Sequence, residues 1–529
     1  MEQAVKNPLG TEKISKLLVK FAVPSIIAML VSALYNIVDQ IFIGQSVGML
    51  GNAATNVAFP LSTVCTAIAL LFGIGGAANF NLSMGAKQEK QAASYAGNAI
   101  LMLVICGVVL MIIVRSCLQP MMVAFGATLG VLEHAVMYTG ITSFGFPFLI
   151  FATGASNLVR ADGSPKFSMA CVLTGAVINT ILDPLFIFGF NMGMAGAALA
   201  TILGQIASAA MAAYYLVFRF HTVKLDRSIL RVRAGNTRAI MGLGAAACFN
   251  QLAMMVVQIV LNNVLTYYGA LSVYGSEIPL AVVGIIMKVN MIYMSVIIGI
   301  AQGLQPISSF NYGARKYGRV RETYWKAIIV ATIISIIAFL AFQLFPREII
   351  GIFGSGSEEY FHFAERCFRI FLLFTFLNGL QPVSSNFFSS IGKATRGIWL
   401  SLTRQIIFLL PLVLILPALM GIDGVMYAGP VADGMAALVA ILLVSHEMKI
   451  LKRLEQDTVC LLYTSIADRT DFKRTFFYEL FRSQGMYVRT FRGRAHLFKG
   501  NAAKRALWYH RKRRTDALNF RSRFAPLFP

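Results

Sequence analysis

The sequence predicts an all-α polytopic membrane protein of twelve transmembrane helices, arranged as two six-helix bundles related by a parallel pseudo-two-fold repeat. Three observations predict it. The 529 residues are 57% hydrophobic and only 13% charged, with apolar runs recurring from Leu17 nearly to Ser445. Runs of about 20 residues cross a hydrocarbon core of about 30 Å at about 1.5 Å per residue. Basic residues gather on alternate loops, and several motifs recur about 228 positions apart.

The spans are expected at 17–44, 53–83, 92–116, 131–157, 167–190, 194–218, 239–266, 280–311, 324–345, 361–389, 397–418 and 424–448, with short loops between them. The leading MEQAVKNPLGTEKIS is polar and lacks the apolar core and small-residue cleavage site of a secretory signal, so the first span is expected to persist in the mature protein. Cys65, Cys106, Cys117, Cys171, Cys248 and Cys367 lie within or beside spans and form no CxxC pair. They read as small core residues.

Lys6, Lys13, Lys16 and Lys20 precede the first span, Lys87 and Lys90 follow the second, and Arg160 and Lys166 follow the fourth. The series continues with Arg219 through Arg238, Arg315 through Lys326, Lys393 with Arg396, and finally Lys449, Lys452 and Arg453. By the positive-inside rule these loops and both termini are cytoplasmic, which requires an even number of spans.

MGAKQEK (84–90) matches YGARKYG (312–318), setting Gly85, Ala86 and Lys87 on Gly313, Ala314 and Arg315. Asn157 and Gly163 fall on Asn386 and Gly392, and GMAG from Gly193 falls on GIDG from Gly421. Six spans per copy give both copies one orientation, related by an axis along the membrane normal. The expected organisation is a first bundle over 1–218, a basic linker over 219–238, a second bundle over 239–454 and a basic tail over 455–529. Two bundles facing each other across a cleft form a transporter architecture, whereas the filter loop of a channel is not evident.

The net charge of +23 divides almost evenly, since residues 458–529 alone hold 16 basic against 4 acidic residues. From about Thr458 no helical or strand period is sustained. HRKRR (510–514) has the composition of an RNA or anionic-lipid contact, while VCLLYTS (459–465) resembles translated sequencing-adaptor DNA. The tail is therefore expected to be non-native or disordered.

Asp39 interrupts the apolar run YNIVDQIFIG (35–44), and an uncompensated Asp at a bilayer centre costs roughly 2.5–3.5 kcal/mol. Counting helical rise from Lys20 and Lys166 puts Asp39 about 28 Å and Asp183 about 26 Å above the cytoplasmic boundary. Asn179, one turn below Asp183, and Thr201 on the descending sixth span fall near them. Two carboxyls sharing a poorly solvated site cannot both stay ionised, which is the chemistry of a proton carrier. Alternatively, both acids hydrogen-bond backbone near helix ends, Asp183-Pro184 being a helix-breaking pair. The second bundle lacks such a pair. Its NQLAMMVVQIVLNNVL (250–265) is polar through amides alone, and Asp433 and Glu365 read as nearer the outer ends. Lys288 and Arg404 are its candidate cavity charges, with counter-ion or structural duty the commoner role for such residues.

The stretches VPSIIAMLVSALYNIVDQIFIG (23–44), RADGSPKF (160–167), INTILDPLFIF (178–188), GMAGAALAT (193–201), GLQPISSFNYGARK (303–316) and GIDGV (421–425) resemble the multidrug and toxic compound extrusion (MATE) transporters over roughly residues 10–452. The run YGSEIPLAVVGIIMKVNMI (274–292) looks most like the bacterial MepA-type branch. The resemblance implies cation-coupled efflux of amphipathic, often cationic compounds. It implies a cation site at Asp39, Asn179, Asp183 and Thr201, with Tyr138 on the fourth span and a helix-bending proline at Pro24. The sequence departs from the branch whose sodium site lies in the second half.

The expected function is antiport of an outgoing organic molecule against incoming protons or sodium, a sodium ion being held at Asp39 and Asp183. No cofactor, no enzymatic activity and no nucleic-acid partner are expected. The expected partners are small organic substrates and membrane lipids, and the expected state is a monomer in the cytoplasmic membrane. The rivals are a flippase for lipid-linked saccharides, which wants strongly cationic cavity walls, and an integral-membrane enzyme, which wants acids or histidines clustered on cytosolic loops.

Overall fold

The computed structural model describes residues 7–223, 229, 231–275, 277–353, 358–469, 486–491 and 494–499. Among them, twelve helices are long and apolar enough to cross a membrane. They are α1 (Ile14–Val47), α2 (Leu50–Gly85), α3 (Glu89–Ser116), α4 (Leu129–Ala161), α5 (Pro165–Gly189), α6 (Gly193–Arg219), α7 (Ala234–Ala270), α8 (Ile278–Gly313), α9 (Tyr317–Leu344), α10 (Tyr360–Ser390), α11 (Ala394–Met420) and α12 (Ile422–Thr458). Each overlaps one expected span. The protein is a multi-pass membrane protein whose membrane-spanning part is all helical.

The repeat is written into the turns. Lys87 and Arg315 both adopt left-handed backbone, at φ 62° and 57°, directly after the matched Gly85-Ala86 and Gly313-Ala314. Gly163 and Gly392 (φ 92° and 79°) end α4 and α10 in the same way, and Gly193 and Gly421 (φ 52° and 63°) begin α6 and α12. A fourth pair, Gly48 and Gly275 (φ 73° and 68°), joins α1 to α2 and α7 to α8. Left-handed geometry is costly for residues bearing a Cβ, so a reversal that needs it keeps its residue type while apolar spans drift. That is why the motif matches fall at turns.

Helices α4 and α10 are broken at corresponding points, α4 by a 3-10 turn over Ser143–Gly145 and α10 by one over Thr375–Leu377. The core of the first half packs Phe80, Leu103, Ile150 and Leu158 against alanines of α3, including Ala96 and Ala99. Small residues let these helices approach closely, the usual packing device in lipid.

The two halves meet at the end of the helices that carries the basic loops. There α2 lies along α7, and α8 lies along both α1 and α2. Glycines make this possible. A Cβ on Gly85 would overlap the Phe310 carbonyl oxygen and one on Gly313 would overlap that of Leu82, a reciprocal contact between repeat-related residues. Gly75 and Gly303, also 228 apart, press on the backbones of α7 at Ile240 and of α1 at Ala22. Polar bonds reinforce the seam, with Gln305 Nε2 donating to the Ile74 carbonyl (3.0 Å) and Asn79 Nδ2 to that of Ala239 (3.1 Å).

The segment leading into each half is held by the other half. Ahead of α1, the Leu9 and Gly10 carbonyls accept from Asn311 Nδ2 (2.9 Å) and Lys316 Nζ (2.8 Å). Ahead of α7, the Arg233 carbonyl accepts from Asn98 Nδ2 (3.3 Å), and Asn236 at the helix start donates to Ser94 Oγ (2.8 Å). In the expected linker, residues 224–228 and 230 lie outside the described residues.

The tail departs from the expectation of no regular structure. The last helix continues to Arg469, through VCLLYTS, and Met486–Phe491 (β1) pairs antiparallel with Arg494–Lys499 (β2). Residues up to Met448 and residues from Lys449 onward form two separate compact units. HRKRR lies outside the described residues.

Candidate functional site

Asp183 sits in the last turn of the α-helical part of α5. The helix does not break at Asp183-Pro184. It continues as a π-turn over Leu185–Gly189. Asn179, four residues earlier on the same face, donates from Nδ2 to Asp183 Oδ1 at 3.2 Å and reaches Thr201 Oγ1 on α6 at 3.5 Å. Thr201 in turn donates to the Ala197 carbonyl (3.0 Å) and lies near the Tyr138 hydroxyl of α4. Helix α1 packs along α5, and its Asp39 reaches hydrogen-bonding contact with Asp183. The structure thus assembles Asp39, Asn179, Asp183, Thr201 and Tyr138 from four helices.

Asp183 and Asn179 are buried, and Asp39 is half-buried. Asp39 Oδ1, Asp183 Oδ2 and Asn179 Oδ1 receive no N–H or hydroxyl donor. An ionised carboxyl is acceptor-only, so contact between two of them requires a shared proton or a bound cation. Among the described residues no cluster of three or more His, Cys, Asp or Glu is placed to hold a metal. Two carboxyls backed by one amide and one hydroxyl suit a singly charged ion better than a divalent one.

Tyr35 was missed by the sequence reading. It stands one turn before Asp39 and within electrostatic reach of both carboxyls. The signal was available in the i, i+4 spacing.

The second half is built differently. A π-turn over Thr403–Leu409 interrupts α11 and carries Arg404, whose Nε donates to Asp433 Oδ1 of α12 at 2.6 Å. Their side chains are 15% and 3% exposed, and Asn378, beside the break in α10, lies near Asp433. Arg404 is therefore a paired counter-ion rather than a free cavity charge. Tyr293 OH, close by, pairs with Ser335 Oγ (2.7 Å) and donates to the Thr375 carbonyl (3.1 Å). Lys288 of α8 is exposed, and no carboxylate of the described residues forms an ion pair with it.

Pro24 is buried inside a continuous α1. It lies between Ala22 and Ile26, the residues against which Gly303 and Gly299 press.

The family model for MatE matches residues 24–185 and 246–415. The multidrug export protein MepA of Staphylococcus aureus is 24% identical over 429 residues, spanning 81% of this chain and 93% of its own. The protein of the same name from Staphylococcus saprophyticus is 25% identical over 430 residues, spanning 80% and 92%. The same fold occurs in an outward-facing multidrug resistance MATE family transporter of the MOP superfamily, at TM-score 0.78, 24% identity and coverage of 84% and 98%. It recurs in a MOP superfamily transporter from Pyrococcus furiosus at TM-score 0.78 and 23% identity, again over 84% and 98%. With twelve spans, a repeat marked by its turns and a family match over most of both halves, the chain belongs to the MatE family of membrane transporters.

Proposed function

We propose that the chain is a secondary antiporter that exports amphipathic organic compounds in exchange for incoming protons or sodium. The observation that carries this reading is the contact between Asp39 and Asp183, two carboxyls that share one site without a compensating cation. The naming of the staphylococcal relatives as multidrug export proteins supports the substrate class.

In this reading the basic end faces the cytoplasm and the glycine seam closes it, so the site communicates with the outside. A proton or sodium ion entering from outside neutralises the carboxyl pair. The neutral site tolerates closure at the outer end and opening of the seam, and the ion leaves inward. One proton driven by about 180 mV releases about 4 kcal/mol, which sustains nearly three decades of substrate gradient at about 1.4 kcal/mol per decade. No nucleotide or cofactor is needed.

Purified protein in proteoliposomes should acidify or alkalinise the lumen when a cationic dye gradient is imposed. Repeating the measurement with sodium gradients at zero pH gradient separates the two ions. Dye movement indifferent to both gradients would remove the antiport assignment.

A further inference from the structure

The carboxyl pair accounts for one charge site in the cleft and leaves Lys288 unexplained. The other cation within a second-half span, Arg404, is compensated by Asp433. Among the described residues Lys288 has no carboxylate partner, although it is exposed. It lies ten residues, about 15 Å along the helix, from the outer end of α8 at Ile278.

Its direction follows from the seam. Gly299 of α8 presses on Ile26 of α1. Lys288, eleven residues earlier, differs in direction by only about 20° round the helix at 3.6 residues per turn. It therefore continues the face of α8 that meets the first half below. On that face Gly284, Lys288 and Met291 are exposed, whereas Gly299 and Gly303 are pressed against α1. The face opens above the seam, as the wall of a cleft does.

Height agrees as well. Lys288 stands about 16 Å above the Ile26–Gly299 contact, and Asp39, thirteen residues beyond Ile26, about 20 Å above it. The unpaired lysine of the second half is thus level with the carboxyl pair of the first. Asn262 of α7 is exposed, and its oxygen is already taken by Gln258 Nε2 at 3.0 Å.

We infer that Lys288 recognises a carboxylate on the transported molecule, so that the cleft selects amphipaths carrying an acid group over their esters. The inference rests on reading the cleft as the substrate path. Charge-assisted bonds from a lysine to a carboxylate are worth about 1.5–3 kcal/mol, which is about tenfold or more in affinity.

The test uses two dyes that differ at this one group, rhodamine 110, a free acid, and rhodamine 123, its methyl ester. Their affinities for the full chain in detergent, without any ion gradient, are measured by fluorescence anisotropy. Wild type should bind the acid about tenfold tighter than the ester. Lys288→Met should bring the two affinities within about twofold while leaving ester binding intact, which also reports a folded protein, and Lys288→Arg should restore the preference. An unchanged preference in Lys288→Met, or none in wild type, overturns the assignment. Because no gradient is present, failure of antiport in proteoliposomes leaves this outcome untouched, and loss of acid preference leaves antiport untouched.

Discussion

The two halves share their turns and differ in their charges. In the first half Asp39 and Asp183 face each other with an amide and a hydroxyl as neighbours. In the second, Asp433 is bound by Arg404. The ends that carry the basic loops show a similar inversion. Asp162, between α4 and α5, accepts from Tyr215 Oη (2.7 Å) and the Thr222 N–H (3.0 Å) beyond α6. The corresponding loop between α10 and α11 supplies Lys393 and Arg396, and both bind Glu447 of α12. Backbone geometry survives duplication because a left-handed turn admits few residues. Side-chain chemistry diverges because each bundle needs only its own charges balanced.

The largest effect should come from removing the carboxyls of the first half. Asp39→Asn and Asp183→Asn preserve size and hydrogen bonding but delete the ionisable group, so each should reduce coupled export to the level of empty vesicles while dye binding persists. The double variant should be no worse than either alone at matched membrane abundance. Full export by Asp39→Asn would make its carboxyl a packing residue and dissolve the contrast between halves.

In the second half, Arg404→Met should destabilise the protein by about 3–5 kcal/mol, because it strands a buried carboxylate. Joining it to Asp433→Leu should recover most of that loss, since replacing a whole buried pair by apolar groups is often near neutral. Thermal unfolding in detergent reads both. A double variant that is stable yet inactive would show that the second half also takes part in coupling.

A smaller loss is expected at the seam. Gly85→Ala or Gly313→Ala places a methyl against a carbonyl of the opposite half and should cost about 1–3 kcal/mol of the closed arrangement. Cysteine labelling from the basic side should rise accordingly. Gly242→Ala, whose Cβ meets nothing within 4 Å, is the matched control and should be neutral or slightly stabilising. Equal labelling of the seam variants and the control would argue against a seam that opens.

The smallest effect should follow truncation after Gln456, which keeps all the apolar spans and the basic flank of Lys449 to Arg453. Insertion and dye efflux should be unchanged. Lost efflux at normal abundance would make the tail a working element.

Much of this protein was legible along one dimension. Apolar length placed all twelve spans, the 228-residue recurrence placed the reversals at Lys87 and Arg315, and helical rise put Asp39 level with Asp183. Rotation and partnership were not legible. Rise per residue fixes height on a helix, but the neighbour met at that height depends on how helices distant in sequence pack. So Arg404 had no named partner in the sequence until α12 brought Asp433 beside it. Tyr35 went unnoticed although its spacing from Asp39 was in plain view, because an aromatic four residues from an acid matters only when α5 adds the second acid. The sequence by itself determined a duplicated twelve-span membrane protein with two carboxyls at one depth. Tertiary packing alone decided that these carboxyls touch, that Arg404 is neutralised, and that glycines close the halves at one end, because each is a distance between helices rather than a position along one.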